Sequence, residues 1–332
     1  MDAAAIKKII ALVLAIIASF TAILKTLGLL NYTMPVESHG GKYLFCYFVG
    51  NDPSQERIHL AVSEDGYNFE PLNNNEAIIT QTLGKQCVRD PYILRGQDGY
   101  FYIIGTDMRS EEGWTSNHAL ITWKSADLIN WTDETVIDIR DFGGEFADTN
   151  RAWAPQAIWD AEKQQYMVYW AHSTFSNDTA TIYYAYTDDF KTLSEPKQLF
   201  AHSDLQTIDA DIVYNEKSEK YYMYFKYEEN QTIAYVSSKN LTGPYEDTPV
   251  VVSLARTGVE GSSIYNITGT DTWVMIMDEY HKQRFFAQQT TDMEHFSALP
   301  RFTYKYSVNP RHGSVMAITD EEYDALIAAY NK

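Results

Sequence analysis

"VRDPYILRGQDGYFYIIGTD", residues 88–107, carries the unit from which the fold can be read. Apolar residues run up to Leu94, "GQDG" at 96–99 makes a turn, and an aromatic and β-branched run follows. That is the pattern of two antiparallel strands joined tightly. Downstream, "ALITWKSADLINW" at 119–131 adds a third strand, a polar turn and the start of a fourth.

Both halves of this unit recur. The aromatic strand returns as "YLFCYFV" at 43, "YMVYWA" at 166, "YYMYFK" at 221 and "TWVMIMD" at 272. The spacing, roughly 50 to 65 residues, lies near the upper end of propeller-blade periods. The second half returns as "IHLAVSEDGYNF", "IYYAYTDDFKTL", "IAYVSSKNLTGPY" and "RFFAQQTTDMEHF". Four copies have one more strand just upstream: "DPYILRG", "APQAIWD", "ADIVYNE" and "SSIYNIT". Four antiparallel strands make a propeller blade.

The first copy lacks its upstream strand, and the C-terminus holds an orphan, "HGSVMAIT" at 312–319. Pairing the two closes a ring of five and removes the edges that an open array would expose. The expected fold is therefore an all-β, five-bladed β-propeller over residues 42–332. A β-sandwich would require neither the repeat nor the orphan. "DEEYDALIAAY" at 320–330 reads as a short terminal helix with Asp320 near its cap.

Composition narrows the partner. The chain has 332 residues and a formal charge of −19 with no basic cluster, which argues against nucleic acid and for a neutral partner. Its two cysteines, Cys46 and Cys87, sit in or beside apolar strands and read as buried thiols rather than a bridge. The N-terminus differs in kind. Lys7 and Lys8 precede an unbroken apolar or small run, Ile9–Leu24, with no good cleavage site after it. Residues 1–30 are expected to be an uncleaved signal anchor, or else a cleaved signal, with a linker at 31–41. Either way the remainder is expected to be exported, membrane-anchored facing outside or secreted, and the anchored form would meet the membrane through this segment.

In a propeller, the innermost strands line a central channel and their starts converge on one mouth. Those starts read "RDP" with Asp90, "WAPQ" with Trp153 and Gln156, "IDAD" with Asp209 and Asp211, "VEG" with Glu260, and "RHG" with His312. A solvated rim would scatter its charges; these recur in register. Three carboxylates at one pocket suit inverting glycoside hydrolysis, which needs a general acid and a base roughly 6.5–9.5 Å apart. A third carboxylate can raise the acid's pKa. Trp153 is a candidate for stacking on a sugar ring.

The order of "RDPYI", "WAPQ", "IDA", "VEG" and "RHGSV" over residues 40–319 resembles glycoside hydrolase family 43, five-bladed propellers that remove arabinofuranosyl or xylosyl units from plant polysaccharides. The resemblance implies Asp90 as general base, Asp209 as pKa modulator and Glu260 as general acid. Arg89, Trp153, Gln156 and His312 become candidate substrate contacts. It implies no required cofactor, and leaves room for a calcium ion in the channel beside His312. The expected activity is exo-acting, inverting α-L-arabinofuranosidase action on an oligosaccharide or polysaccharide. A β-xylosidase of the same fold is the nearest alternative, and a non-catalytic glycan-binding propeller the alternative of another class.

Three details complete the reading. Asp211, two residues after Asp209, would share its face on a regular strand and is an alternative modulator. "SEDGYNF" at 63–69 resembles an Asp-box turn but reads as a plain structural hairpin. "NDP" at 51–53 falls between outer strands and is expected to lie away from the channel.

Overall fold

The central strands are apolar at nearly every position because each is covered on both faces. A computed structural model describes residues 32–202, 205–255, 257–306 and 310–330, with the single positions Ala5, Val13 and Ile16. The expected anchor therefore lies almost wholly outside the described residues. Among the described residues, no helix is long and apolar enough to cross a membrane.

The strands form five antiparallel blades. Blade 2 runs Val88–Arg95, Phe101–Asp107, Ala119–Ser125 and Trp131–Asp138; blade 3 runs Thr149–Asp160, Gln165–Thr174, Thr181–Thr187 and Lys197–Phe200. Blade 4 runs Thr207–Asn215, Lys220–Tyr227, Thr232–Ser238 and Val250–Val251; blade 5 runs Glu260–Asn266, Trp273–Glu279, Arg284–Thr290 and Ser297–Ala298. Blade 1 is the composite. Its strands Lys42–Tyr47, His59–Ser63 and Asn68–Pro71 are completed on the inside by Gly313–Ile318, in the register Lys42↔Ile318 to Tyr47↔Gly313. The orphan strand thus pairs as its sequence suggested. A second tie lies on the rim, where Lys305–Tyr306 adds in parallel to Asn68–Phe69.

Five apolar clusters fill the gaps between neighbouring blades. Side-chain alternation assigns each residue to one gap. Tyr43, Phe45 and Tyr47 pack against Tyr265, Ile276 and Phe285 of blade 5, while Leu44 and Cys46 pack against Ile93, Phe101 and Ile121 of blade 2. Cys46 and Cys87 are free, buried thiols, and burial pushes both pKa values up.

Residues 32–41, expected as a linker, are strapped onto the propeller. Tyr32 bridges Ala298 in parallel, the Gln289 side chain donates to Thr33 Oγ1 at 2.7 Å and to the Met34 carbonyl at 2.8 Å, and the His39 amide donates to the Thr268 carbonyl. The strap spans the seam between blades 5 and 1. The terminal helix, Asp320–Tyr330, is capped by Thr319. Thr319 Oγ1 accepts from the Glu322 amide, and Glu322 accepts from the Thr319 amide, a reciprocal capping box. Glu322 also holds Arg95 of blade 2 through two bonds of 2.6 and 2.7 Å.

Candidate active site

Each innermost strand of blades 2 to 5 carries a β-bulge near its start. The register slips between Arg89 and Tyr92, Trp153 and Gln156, Ile208 and Asp211, and Glu260 and Ser263. At each bulge one residue turns left-handed: Asp90 (φ 49), Ala154 (φ 46), Asp209 (φ 55) and Gly261 (φ 56). For a residue with a Cβ this costs roughly 1–2 kcal/mol, and such strain collects where a bulge re-aims side chains at a site. Gly261 has a further reason to be glycine. A Cβ there would come within 2.3 Å of the His312 ring, so only glycine lets that ring lie against blade 5.

Asp90, Asp209, Glu260 and His312 all line one cavity of about 610 Å³ at the channel mouth. His312 sits between the acids, its Nδ1 3.4 Å from Asp90 Oδ1. Burial would lower its pKa, but the hydrogen bond to Asp90 and the charges of Asp209, Asp90 and Glu260 raise it to about 9. It is an imidazolium at neutral pH. Asp90 shows the converse. Burial works upward, yet the His312 hydrogen bond and charge, then Arg89 and Thr106, hold its carboxyl below the usual range. Thr106 Oγ1 donates to Asp90 Oδ2 at 3.0 Å.

Asp209 is different. Its Oδ2 accepts from the Gly261 amide at 3.0 Å, and among the described residues no lysine or arginine forms an ion pair with it. Burial, and the nearby charges of Glu260 and Asp90, push it up to about 7 against the pull of His312. Glu260 is clamped. Oε2 accepts from Lys226 Nζ at 2.9 Å and Oε1 from Arg311 Nη2 at 3.0 Å, and these two cations outweigh burial to lower its pKa. Lys226, itself buried, has a second partner in Glu228 Oε2 at 2.6 Å. Arg311 also donates through Nε to the buried Asp278.

The other sequence candidates divide. Arg89 lines the cavity, bonded to Glu56 Oε1 at 3.0 Å and Asn51 Oδ1 at 2.8 Å. Trp153 lines it too, with the Arg151 guanidinium 5.1 Å from its ring centroid. Gln156 is not among the lining residues: it is buried beyond the bulge, accepting from the Tyr169 hydroxyl at 3.0 Å. Asp211 does not share Asp209's face, because the bulge between them breaks the two-residue alternation. It is buried below the mouth, accepting from the Ile264 amide at 2.8 Å and so stitching blade 4 to blade 5. Asn51, expected away from the channel, reaches the mouth and lies 3.4 Å from Arg311 Nη1.

That correction has a topological cause. In an antiparallel blade the second strand ends where the first begins, so the loop after it flanks the mouth. Asn51, Trp114, Glu228, Tyr280 and His281 reach the cavity from those loops, and Lys226 from the end of a second strand. A signal for Lys226 and Asp278 was present: each is a charged residue closing an otherwise apolar strand, in "YYMYFK" and "TWVMIMD".

Among the described residues, no group of three or more His, Cys, Asp or Glu side chains is spaced to hold a metal ion. His312 Nδ1 faces Asp90 Oδ1 at 3.4 Å, so that ring nitrogen is engaged by a carboxylate.

Comparison with known proteins agrees with this fold. Residues 39–324 match a glycosyl hydrolase 43-related family model, described as "Probable glycosyl hydrolase domain". An α-L-arabinofuranosidase of Bifidobacterium longum subsp. longum is 29% identical over 197 residues, which cover 51% of this chain and 18% of that protein. The chain thus matches less than a fifth of that relative's length. Among solved structures, an exo-β-1,3-galactanase from Clostridium thermocellum superposes with a TM-score of 0.61 at 12% identity, covering 81% of this chain and 64% of that one. A GH43 protein variant from Bacillus licheniformis gives 0.53 at 15% identity, covering 88% and 54%. At these identities the structural likeness speaks for the fold alone.

Proposed function

The chain belongs to the glycosyl hydrolase 43-related family, and from that premise we propose that it is an inverting, exo-acting glycoside hydrolase that releases α-L-arabinofuranosyl units. The observation that carries the reading is the convergence of Asp90, Asp209 and Glu260 on one cavity, from matching points of three blades.

Asp90 suits a base. It is ionised, and His312 and Thr106 hold it in place. It takes a proton from water as the oxygen attacks the anomeric carbon. The glycosidic bond breaks, and an acid protonates the departing oxygen. Glu260 is the proposed acid. In the free protein Lys226 and Arg311 hold it ionised, so it must take up a proton before each turnover. Lys226 also pairs with Glu228 Oε2 at 2.6 Å, so its charge is shared between two carboxylates rather than given to Glu260 alone. A second reading rests on Asp209, whose pKa of about 7 leaves it holding a proton near neutral pH while Glu260 does not. In that reading Asp209 is the acid and Glu260 sets its pKa.

The test uses aryl α-L-arabinofuranosides with a good and a poor leaving group. Dinitrophenolate needs little protonation, so removal of the acid hurts the poor leaving group most. Glu260→Gln should show that asymmetry. Its appearance in Asp209→Asn instead would exchange the roles. Equal losses on both substrates in both variants would place the acid elsewhere. The anomeric form of the first product, followed by NMR, checks inversion. Turnover of xylosyl but not arabinofuranosyl substrates would favour the β-xylosidase, and binding without turnover of either a glycan-binding propeller. The apolar run Ile9–Leu24 supports export with a retained anchor; N-terminal sequencing of the membrane fraction should find residues 1–30 intact.

A further inference from the structure

One wall of the cavity is built from rings and guanidinium groups stacked in series. The Arg89 guanidinium carbon lies 4.6 Å from the Phe48 ring centroid and 5.1 Å from that of Trp114. Trp114 meets Trp153 edge-on, with centroids 6.4 Å apart and planes at 79°. Arg151 then closes on Trp153. Trp153 carries this cation at its ring and is largely enclosed. Trp114 is half exposed, at 50%, in a chain that buries most of its large rings.

The loop that carries Trp114 is fixed in advance. The Ser110 amide donates to both oxygens of the fully buried Glu56, and Ser110 Oγ to the Asn51 carbonyl. At its far end, Asn117 donates to the Asp107 and Ala119 carbonyls and accepts from the Ala152 amide. Glu56 also holds Arg89, so one buried carboxylate fixes both the loop and the cation behind the ring. An exposed ring held this way binds without the entropy cost of ordering it.

Depth sets its role. Asp209 and His312 are nearly inaccessible, Asp90 and Glu260 are reached through the cavity, and Trp114 stands at the opening. An exo-acting enzyme buries the sugar it releases and leaves the remainder of the substrate in the mouth. We infer that Trp114 forms a binding site for the leaving-group sugar, a pyranosyl unit whose apolar C–H face lies on the indole. This rests on the hydrolase reading for the direction of the chain, but the binding itself does not need turnover.

The experiment has two arms. Calorimetry measures binding of xylotriose, linear arabinotriose and β-1,3-galactotriose to the full chain and to Trp114→Ala and Trp114→Phe. At least one of the two pyranosyl sugars, xylotriose or β-1,3-galactotriose, should bind the parent, weaken about 10- to 100-fold in Trp114→Ala, and recover largely in Trp114→Phe. The second arm compares kcat/KM on an arabinosyl-substituted xylotriose and on α-L-arabinofuranosyl fluoride, whose leaving group has no ring to stack. Trp114→Ala should lower the first by at least 10-fold more than the second, chiefly through KM. Failure of both pyranosyl sugars to bind the parent, even if arabinotriose binds, equal affinity for parent and Trp114→Ala, or equal loss on the two donors would each overturn the assignment. A parent that turns over neither donor yet binds a trisaccharide through Trp114 would sink the hydrolase reading and keep the subsite.

Discussion

Aspartate recurs at both ends of the blades, and Asp127 in an outer turn and Asp209 at the mouth titrate in opposite directions. At the outer hairpins a Ser or Thr followed two residues later by Asp or Asn appears in every blade: Ser63–Asp65, Ser125–Asp127, Thr187–Asp189, Ser238–Asn240 and Thr290–Asp292. Asp127 accepts from the Ile129 and Asn130 amides, the Asn130 side chain and Ser125 Oγ. Burial opposes ionisation there, but these donors win and take its pKa down to about 2, as they do for Asp292. At the mouth, burial first and then the charges of Glu260 and Asp90 outweigh His312, and Asp209, with one backbone donor, rises to about 7. Donors in surplus at an exposed turn hold the charge; burial with a single donor leaves a carboxyl able to hold a proton near neutral pH. "SEDGYNF" is one of the outer set, a structural hairpin as read from the sequence.

The largest expected effect contrasts an inner strand with an outer turn. Truncation before Arg311 removes the innermost strand of blade 1 and exposes the faces of Leu44 and Cys46, so the protein should unfold rather than merely lose activity. A sharp, unchanged melting transition in the truncated form would break the comparison. Next, Asp90→Asn should reduce turnover of every substrate by about 10²- to 10⁴-fold, with little change in melting temperature. Kinetics and calorimetry on one preparation separate the two.

The third prediction concerns pH. Asp209 is raised in the folded state, so the native protein holds the extra proton between about pH 4 and 7. Its contribution to stability is full below about pH 4 and is lost as pH rises through about 7. Asp209→Asn should flatten that decline and raise the melting temperature at pH 8. Asp127 is lowered, so its contribution is present above about pH 4 and lost as pH falls toward 2. Asp127→Asn should weaken the protein at neutral pH and flatten the acid limb instead. Melting curves from pH 2 to 8 that show the same slope change in both variants would refute the contrast. The smallest effect is Ser125→Ala, which removes one hydroxyl from the Asp127 turn and should cost about 1 kcal/mol with kinetics unaltered.

Much of this was legible in the chain. Strands buried on both faces read as apolar runs because neighbouring blades cover them, and five such runs with an orphan partner require a closed ring. Asp90, Asp209, Glu260 and His312 were findable because they sit at the heads of repeated strands. Gln156 and Asp211 were misplaced for one reason: a bulge adds a residue to one strand, and strict alternation then fails just where the site is built. Asn51 and Trp114 were missed because loops carry no period; Lys226, at the end of a second strand, was missed although its charge closes an apolar run.

The sequence by itself determined the repeat, the ring closure and which strands bring acids to the mouth, since these follow from local pattern and the need to bury edges. Only the tertiary structure decided which of those acids is ionised. Glu260 and Asp209 are both carboxylates near one channel end, and nothing local distinguishes their proton affinity. Lys226 and Arg311 reach Glu260 from elsewhere in the chain, while Asp209 is buried and among the described residues accepts from the Gly261 amide. Coulombic coupling depends on distance and burial in space, and neither is written in sequence order.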